Sequence, residues 1–136
     1  MTIINLDRSS TKEEIDEFEK QSSKGKWLIK YHANWCGHCK SMIPEWKKFE
    51  QNNINFNIAS IDVDVFPKLT NKPFISGFPT IKLFNNGKSV KEFNDYRTSD
   101  NFQKFYMKGG FKKKTKSIKN KSKLYIKLKS VKGMKK

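Results

Sequence analysis

The stretch Trp35-Cys36-Gly37-His38-Cys39-Lys40 holds both cysteines of the 136-residue chain, three positions apart. The apolar run Trp27-Leu28-Ile29 just before it predicts a strand. Apolar side chains with helical spacing follow it, namely Met42, Ile43, Trp46 and Phe49. Cys36 is therefore expected where a strand ends and a helix begins. The unpaired N–H groups of a helix's first turn favour an anion, so this position stabilises a thiolate.

The two cysteines predict redox chemistry. Cys39 falls about one turn into the helix, less exposed than Cys36 and within its reach. Cys36 can then attack a substrate and Cys39 can resolve the mixed disulfide. A metal site is the alternative, but one such pair supplies two zinc ligands, and only His32 and His38 remain to complete it, from poor geometry. We expect no metal and no cofactor.

The motif from Trp35 to Lys40 resembles the active site of the thioredoxin superfamily, in the form found in protein disulfide isomerase domains. Three further elements occur at family spacing. Gly77-Phe78-Pro79-Thr80-Ile81 resembles the cis-proline loop, Pro44 the proline that kinks the active-site helix, and Tyr96-Arg97-Thr98 the turn before the last helix. The resemblance covers about residues 1–108 and implies an α/β thioredoxin fold, a central mixed sheet flanked by helices.

The resemblance also implies roles for residues around the cysteines. His38 stands where thioredoxins carry proline, and a partly protonated imidazole would stabilise the Cys36 thiolate and favour an oxidant or isomerase. An exposed, solvated histidine is the alternative. Pro79 is expected to follow a cis peptide bond, so that an extended substrate can pair with the Phe78 backbone. The residues expected to contact substrate are Trp35, Gly37, Gly77, Phe78 and Pro79, with Phe74 as a weaker member of an apolar rim.

Lys30 is where this sequence departs from the family. Six residues before the first cysteine, thioredoxins have a buried Asp and isomerase domains a Glu that accepts the proton of the resolving thiol. Isomerase domains pair that Glu with a Lys, and the matching residue here is Ser60. A buried Lys30 either acts as a neutral base for Cys39 or stays charged and stabilises both thiolates; alternatively, its head group reaches water.

Two other residues have open assignments. Arg97 resembles the mobile arginine of isomerase domains, which swings toward the resolving cysteine, but it also suits a surface arginine that caps a turn. His32 replaces the family's usual aromatic residue and is interpreted first as a packing residue and second as a titrating neighbour.

The remaining sequence predicts an alternation of strands and helices that ends in an antiparallel hairpin. A T-x-x-E capping box at Thr11 opens a helix with Ile15 and Phe18 inward. An Asn-Gly pair within Asn85–Lys88 predicts the hairpin. The expected strands are Thr2–Leu6, Trp27–Tyr31, Ile54 to Ile61, Ile81–Phe84 and Ser89–Phe93. A short helix or turn is expected from Val65 to Phe74. We expect a last helix that is capped by Thr98 or Ser99 and ends at Gly109-Gly110. Its inward side chains are expected to be Phe102, Phe105 and Tyr106 or Met107.

The net charge of +16 is concentrated at the C-terminus. Residues 1–100 hold 15 basic and 13 acidic residues, for a net charge of +2, whereas residues 101–136 hold 14 lysines and no acid. We expect a domain at 1–108 and a flexible Lys-rich tail at 109–136, although Leu124, Ile126 and Leu128 alternate with other residues as in an edge strand. The tail suits non-specific contacts with nucleic acid, while compositional drift is the alternative.

These observations favour a thiol–disulfide oxidoreductase or isomerase that acts on protein disulfides as a monomer, with glutathione or a reductase as redox partner. The alternatives are a thioredoxin-fold binding module whose basic tail holds nucleic acid or another polyanion, and a structural component with vestigial activity. Two cysteines indicate a reducing compartment. No membrane span, signal peptide or retention sequence is recognised, so we expect no membrane attachment and a cytoplasmic location, with a virus particle or another non-secretory site left open.

Overall fold

The fold is built on a five-stranded mixed sheet, seen in a computed structural model that describes residues 2–108. The strands are β1 (Thr2–Leu6), β2 (Lys26–His32), β3 (Asn57–Asp62), β4 (Thr80–Asn85) and β5 (Lys88–Glu92). Their order is β1-β3-β2-β4-β5, with β1, β3 and β2 parallel and β4 and β5 antiparallel to their neighbours. The predicted α/β architecture with a mixed sheet is confirmed.

Helices cover both faces of this sheet. They are α1 (Lys12–Ser22), α2 (Gly37–Ser41), α3 (Ile43–Asn52) and α4 (Ser99–Lys108), with a 3₁₀ helix at Val63–Lys68. On one face, Ile15 and Phe18 of α1 pack against Trp27, Ile29 and Tyr31 of β2. On the other face, aromatic residues of α3 and α4 pack against Leu28, Ile58 and Leu83. Because β2 is covered on both faces, its end near the cysteines is held in place.

Two predicted local signals are confirmed. Thr11 caps α1, with its side chain accepting from the Glu14 N–H while the Glu14 carboxylate accepts from the Thr11 N–H. The β4–β5 hairpin turns at Asn86 and Gly87, with φ of 51° and 82°. Two successive residues with positive φ are typical of the tight hairpin turns that match the twist of a sheet. For α4, Thr98 is the capping residue, since its hydroxyl accepts from the Asn101 N–H at 3.2 Å.

Other predictions need correction. Strand β3 begins at Asn57 and not at Ile54, because a turn closed by the Phe56 N–H and the Asn53 carbonyl precedes it and leaves Ile54 70% exposed. Ile43 is also exposed, because the active-site helix is interrupted at Met42 and restarts as α3 with Pro44 in its first turn. Proline lacks the N–H that a continuous helix would use.

At the chain's later elements, Tyr106 is buried whereas Met107 is exposed. The segment predicted from Val65 to Phe74 is a 3₁₀ helix that starts at Val63 and ends at Lys68, followed by a loop. The Gly109-Gly110 closure and the alternating residues of the tail lie outside the described residues. Within residues 2–108, every helix is too short or too polar to cross a bilayer.

Phe102 is expected to be a major source of stability. It is fully buried, and its ring centroid lies 5.0 Å from that of Trp46 and 5.1 Å from that of Phe93. Phe102→Ala should lower the free energy of unfolding by about 3–5 kcal/mol, because it removes buried apolar surface and leaves a cavity. Met107→Ala on the same helix, where the side chain is 51% exposed, should change it by less than about 0.5 kcal/mol. Equal effects in denaturant unfolding would contradict this packing.

Candidate active site

Cys36 lies at the start of α2, as its position in the sequence predicts. After β2 ends at His32, a short loop leads to Cys36, whose N–H donates to the Ala33 carbonyl at 3.2 Å. Cys36 has extended φ and ψ and is the capping residue of α2, with its Sγ accepting from the Cys39 N–H at 3.0 Å. The helix therefore directs an N–H group at the first sulfur. A negative charge on that sulfur would be stabilised by the same geometry.

Cys36 and Cys39 form a disulfide, with their Cα atoms 5.2 Å apart. Cys36 is 7% exposed and Cys39 is 5% exposed, so Cys39 is less exposed, as expected, but only slightly. They pack with Ala33 and with the half-buried Val63 and Phe78. The arrangement can undergo thiol–disulfide exchange, provided that an incoming sulfur approaches from the surface around the motif.

The Gly77–Thr80 loop lies beside this disulfide. The Phe78–Pro79 peptide bond is cis, as expected, and the Thr80 hydroxyl donates to the Gly77 carbonyl at 2.6 Å. A Cβ atom built at Gly37 or at Gly77 meets no atom within 4 Å, so both glycines border open space. The structure thus packs Phe78 against the cysteine pair, and contact of Gly37, Gly77, Phe78 and Pro79 with substrate remains a prediction.

Three aromatic side chains of residues 2–108 are exposed: Trp35 in the motif, Tyr96 in the cleft beside His38, and Phe74 in the loop before Gly77. Trp35 is 73% exposed, and its ring packs edge to face on Phe78 with centroids 5.9 Å apart. Phe74, expected only as a weak member of the rim, is 80% exposed. Tyr96 is 83% exposed and was missed as a surface aromatic, although it lies in the recognised turn before α4. Large apolar groups exposed together indicate a surface that binds other molecules.

Arg97 lies near His38 in a shallow cleft of about 360 Å³ beside α2. Both residues are exposed, and Arg97 forms no ion pair with another residue in the range 2–108. The cleft is lined by His38, Ser41, Met42, Asp95, Tyr96 and Arg97. The structure therefore brings these two predicted site residues together, and a catalytic part for Arg97 remains a prediction.

Lys30 is buried beneath the helical layer. It is 7% exposed, and its Nζ lies 5.1 Å from the centroid of the Trp46 ring. Burial lowers the pKa of Lys30 to about 8, an effect that the charge of Glu50 opposes. The side chain is therefore largely enclosed, which disfavours the alternative in which the head group reaches water. At Ser60, where isomerase domains have a lysine, the hydroxyl accepts from the Trp46 indole N–H at 3.0 Å.

Glu50 is a residue that the sequence interpretation did not single out. It is half-buried on α3, and its Oε2 atom is buried without a hydrogen-bond partner among the described residues. Burial raises the pKa of Glu50, whereas the charge of Lys30, the nearby indole N–H of Trp46 and the charge of Lys47 oppose that rise. Its position four residues after the inward-facing Trp46 indicates the same side of α3, but no sequence signal links it to Lys30.

His32 faces Asp62 in the register of β2 and β3. Its Nδ1 lies 4.0 Å from Oδ2 of Asp62, whose other oxygen accepts from the Asp64 N–H at 2.9 Å. Burial lowers the pKa of His32, Lys30 lowers it further, and Asp62 opposes both. His32 is thus a packed residue that also belongs to a group of interacting charges. Within residues 2–108, no cluster of three or more His, Cys, Asp or Glu residues could hold a metal ion.

Comparison with known proteins agrees with this fold and site. Residues 8–108 match the family model for thioredoxin, so the chain belongs to the thioredoxin family. It is a thioredoxin domain of the protein disulfide isomerase type, with its two cysteines at CxxC spacing, as the resemblance implied.

One similar protein is human protein disulfide-isomerase A6, which is 37% identical over 103 residues. That match covers 68% of this chain and 23% of the human protein, so the chain spans about a quarter of that relative's length. The oxidised thioredoxin of Plasmodium falciparum has a TM-score of 0.60 at 22% identity, covering 81% of this chain and 100% of that one. Thioredoxin NaTrxh of Nicotiana alata has a TM-score of 0.63 at 23% identity, covering 78% of this chain and 90% of that one. The two structures share the fold.

The buried Lys30 should make stability depend on pH. Its folded pKa of about 8 lies below the unfolded value of 10.5, so the unfolded chain binds more protons between these values. Stability attributable to this residue is therefore low below pH 8 and rises as the pH increases toward 10.5. The Lys30→Met variant cannot show this rise. The free energy of unfolding of the variant minus that of the wild type should therefore fall by about 3 kcal/mol between pH 7 and pH 10.5.

The measurement is denaturant unfolding of both proteins across this pH range. Burial raises the pKa of Tyr31 in both, so its contribution cancels in the difference. Lys24→Met, at an exposed position, is the matched control, because removal of a solvated charge leaves the shape of the curve unchanged. If the free energy of unfolding varied with pH in the same way in the wild type and in Lys30→Met, Lys30 would be solvated.

Proposed function

We propose that this domain is a thiol–disulfide oxidoreductase that oxidises or isomerises disulfides of protein substrates. The observation that carries the proposal is the Cys36–Cys39 disulfide at the start of α2, with the Cys39 N–H directed at the Cys36 sulfur. A disulfide in this position opens to give a thiolate that the helix stabilises, which favours the reduced form of the pair.

Oxidation of a substrate dithiol proceeds in two exchanges. A substrate thiolate attacks the Cys36 sulfur, the bond to Cys39 breaks, and Cys39 leaves as a thiolate that takes up a proton. A second substrate thiolate then attacks the substrate sulfur of the mixed disulfide and releases the Cys36 thiolate. The substrate gains a disulfide and the Cys36–Cys39 pair gains two electrons. Isomerisation begins instead from the Cys36 thiolate, which attacks a substrate disulfide and is released unchanged.

The surface around the disulfide supports a polypeptide substrate. Trp35, Phe74 and Tyr96 expose most of their side chains, and such surface suits the apolar residues of an unfolded chain. An extended segment could pair with the Phe78 backbone in the manner of an added strand, with Gly37 and Gly77 leaving room for its approach. The similarity to protein disulfide-isomerase A6 supports the same substrate class.

Other expectations about the whole protein stay proposals. The redox partner is a low-molecular-weight thiol such as glutathione or a reductase, the protein acts as a monomer, and it works in the cytoplasm. The alternative of a polyanion-binding module depends on residues 109–136, which lie outside the described residues. Nothing within residues 2–108 favours that alternative over the oxidoreductase.

The two cysteines should have distinct roles. Cys36→Ser should abolish the reshuffling of a test protein with scrambled disulfides, because the nucleophile is lost. Cys39→Ser should instead accumulate mixed disulfides between Cys36 and substrate, since the resolving thiol is missing. Turnover of the test protein and non-reducing electrophoresis measure the two outcomes. Wild-type activity in both variants would refute the oxidoreductase assignment.

His38 should set how oxidising the pair is. Its exposed side chain lies between the cysteines on α2, where added positive charge stabilises a thiolate and proline supplies none. Typical potentials are about −270 mV for thioredoxin and about −180 mV for protein disulfide isomerase. In His38→Pro the midpoint potential, measured against glutathione, should move toward the thioredoxin value. An unchanged potential would show that His38 is only a solvated surface residue.

A further inference from the structure

Lys30 is enclosed between the sheet and α3. In register it lies beside Ser60 on β3 and Ile81 on β4. Trp46 covers it from α3, with its indole N–H donating to Ser60 Oγ at 3.0 Å and its ring 5.1 Å from Lys30 Nζ. An ammonium group over an aromatic face is stabilised electrostatically. That contact leaves most of the cost of removing the charge from water uncompensated.

Glu50 provides the other half of this arrangement. It follows Trp46 by one helical turn, so both side chains lie on the same side of α3. Its Oε2 is buried and accepts no hydrogen bond from the described residues. A buried carboxylate oxygen without a donor is costly unless a positive charge lies nearby. Lys30 and Glu50 each favour the charged form of the other, although no oxygen of Glu50 lies within 4.0 Å of the ammonium.

The other charged groups around Lys30 do not substitute for Glu50. On β2, which also carries Lys30, the charge of Lys30 disfavours the protonated form of His32 and so lowers its pKa. On β3, Asp62 faces His32 and accepts from the Asp64 N–H. On α3, Lys47 carries the same sign as Lys30. On α2, Cys39 is in the disulfide. Glu50 is therefore the carboxylate on α3 that acts on Lys30.

We propose that Glu50 is a positioning residue whose carboxylate keeps Lys30 protonated at neutral pH, and that the buried ammonium in turn favours the thiolate forms of Cys36 and Cys39. The family acid expected on β2 is thus replaced by a lysine on β2 and a carboxylate on α3. The inference rests on the proposed function, because it concerns the same dithiol pair. It assigns to Glu50 control over how oxidising that pair is.

The distance to the cysteines permits this effect. Cys39 precedes Trp46, whose ring lies 5.1 Å from Lys30 Nζ, by seven residues, or about 10 Å at the rise of a continuous helix. A unit charge about 10 Å away, at an effective dielectric constant of about 20, changes an equilibrium by about tenfold. The charge on Lys30 should therefore change the equilibrium constant between this pair and glutathione by about tenfold.

The first test follows the Lys30 side chain directly. Its titration is recorded by NMR of the labelled lysine Cε and Nζ atoms in the reduced, full-length protein. In Glu50→Gln the midpoint should fall by about one pH unit relative to the wild type, because an attractive charge is lost. Glu13→Gln, which removes an exposed carboxylate on α1, is the matched control and should leave the midpoint unchanged. An identical midpoint in all three proteins would overturn the role of Glu50.

The second test measures the equilibrium constant with glutathione from pH 6 to 9. At pH 7 both Glu50→Gln and Lys30→Met should be less oxidising than the wild type, by up to about tenfold. At pH 9, where Lys30 is largely neutral in the wild type, the three values should converge. Values that differ from the wild type equally at every pH, or not at all, would overturn the inference. Failure to form a reversible Cys36–Cys39 disulfide would instead refute the proposed function.

Discussion

The hydrogen bond from the Cys39 N–H to the Cys36 sulfur is the interaction on which the site depends. It requires Cys36 to be the capping residue of α2, which in turn requires β2 to end four residues earlier, at His32. The position of β2 is fixed by burial on both faces, between the α1 layer and the layer formed by α3 and α4. The same strand therefore serves stability and reactivity, because β2 forms the centre of the core and its end positions the Cys36 sulfur.

The second constraint is a charge buried where this family has an acid. Lys30 occupies the central strand, and among residues 2–108 its ammonium lies near the Trp46 ring and is favoured by the charge of Glu50. The protein therefore retains a group that costs stability at neutral pH. If that charge favours the thiolate forms of the cysteines, as we propose, the cost in stability is linked to the oxidising strength of the pair.

Local signals made much of the fold predictable from sequence. The capping box at Thr11, the Asn86-Gly87 turn and the cysteine spacing each depend on neighbours within four residues, and each is confirmed. Apolar patterns were less reliable where a turn or a proline intervened: Ile54 lies in a turn and not in the expected strand, and Ile43 is exposed although it belongs to the apolar pattern of the helix. Apolar character identifies a side chain that can be buried, but the local backbone decides whether it is.

Long-range contacts made part of the site unpredictable. Lys30 and Glu50 are twenty residues apart in sequence and interact only because α3 packs on β2. The surface position of Tyr96 likewise depends on how the turn before α4 lies against α2. Family resemblance identified the departure at Lys30, since that position is normally acidic. It gave no reason to look for a carboxylate on α3.

The most direct test of the central claim is the thiolate absorbance of the reduced wild-type protein as a function of pH. The hydrogen bond at the start of α2, together with the charge of Lys30, predicts that the Cys36 thiolate persists well below the pH at which an ordinary cysteine titrates, about 8.5. The absorbance should disappear in Cys36→Ser and remain in Cys39→Ser. A titration at pH 8.5 or above would contradict the account, because neither the helix nor the buried lysine would then stabilise the attacking sulfur.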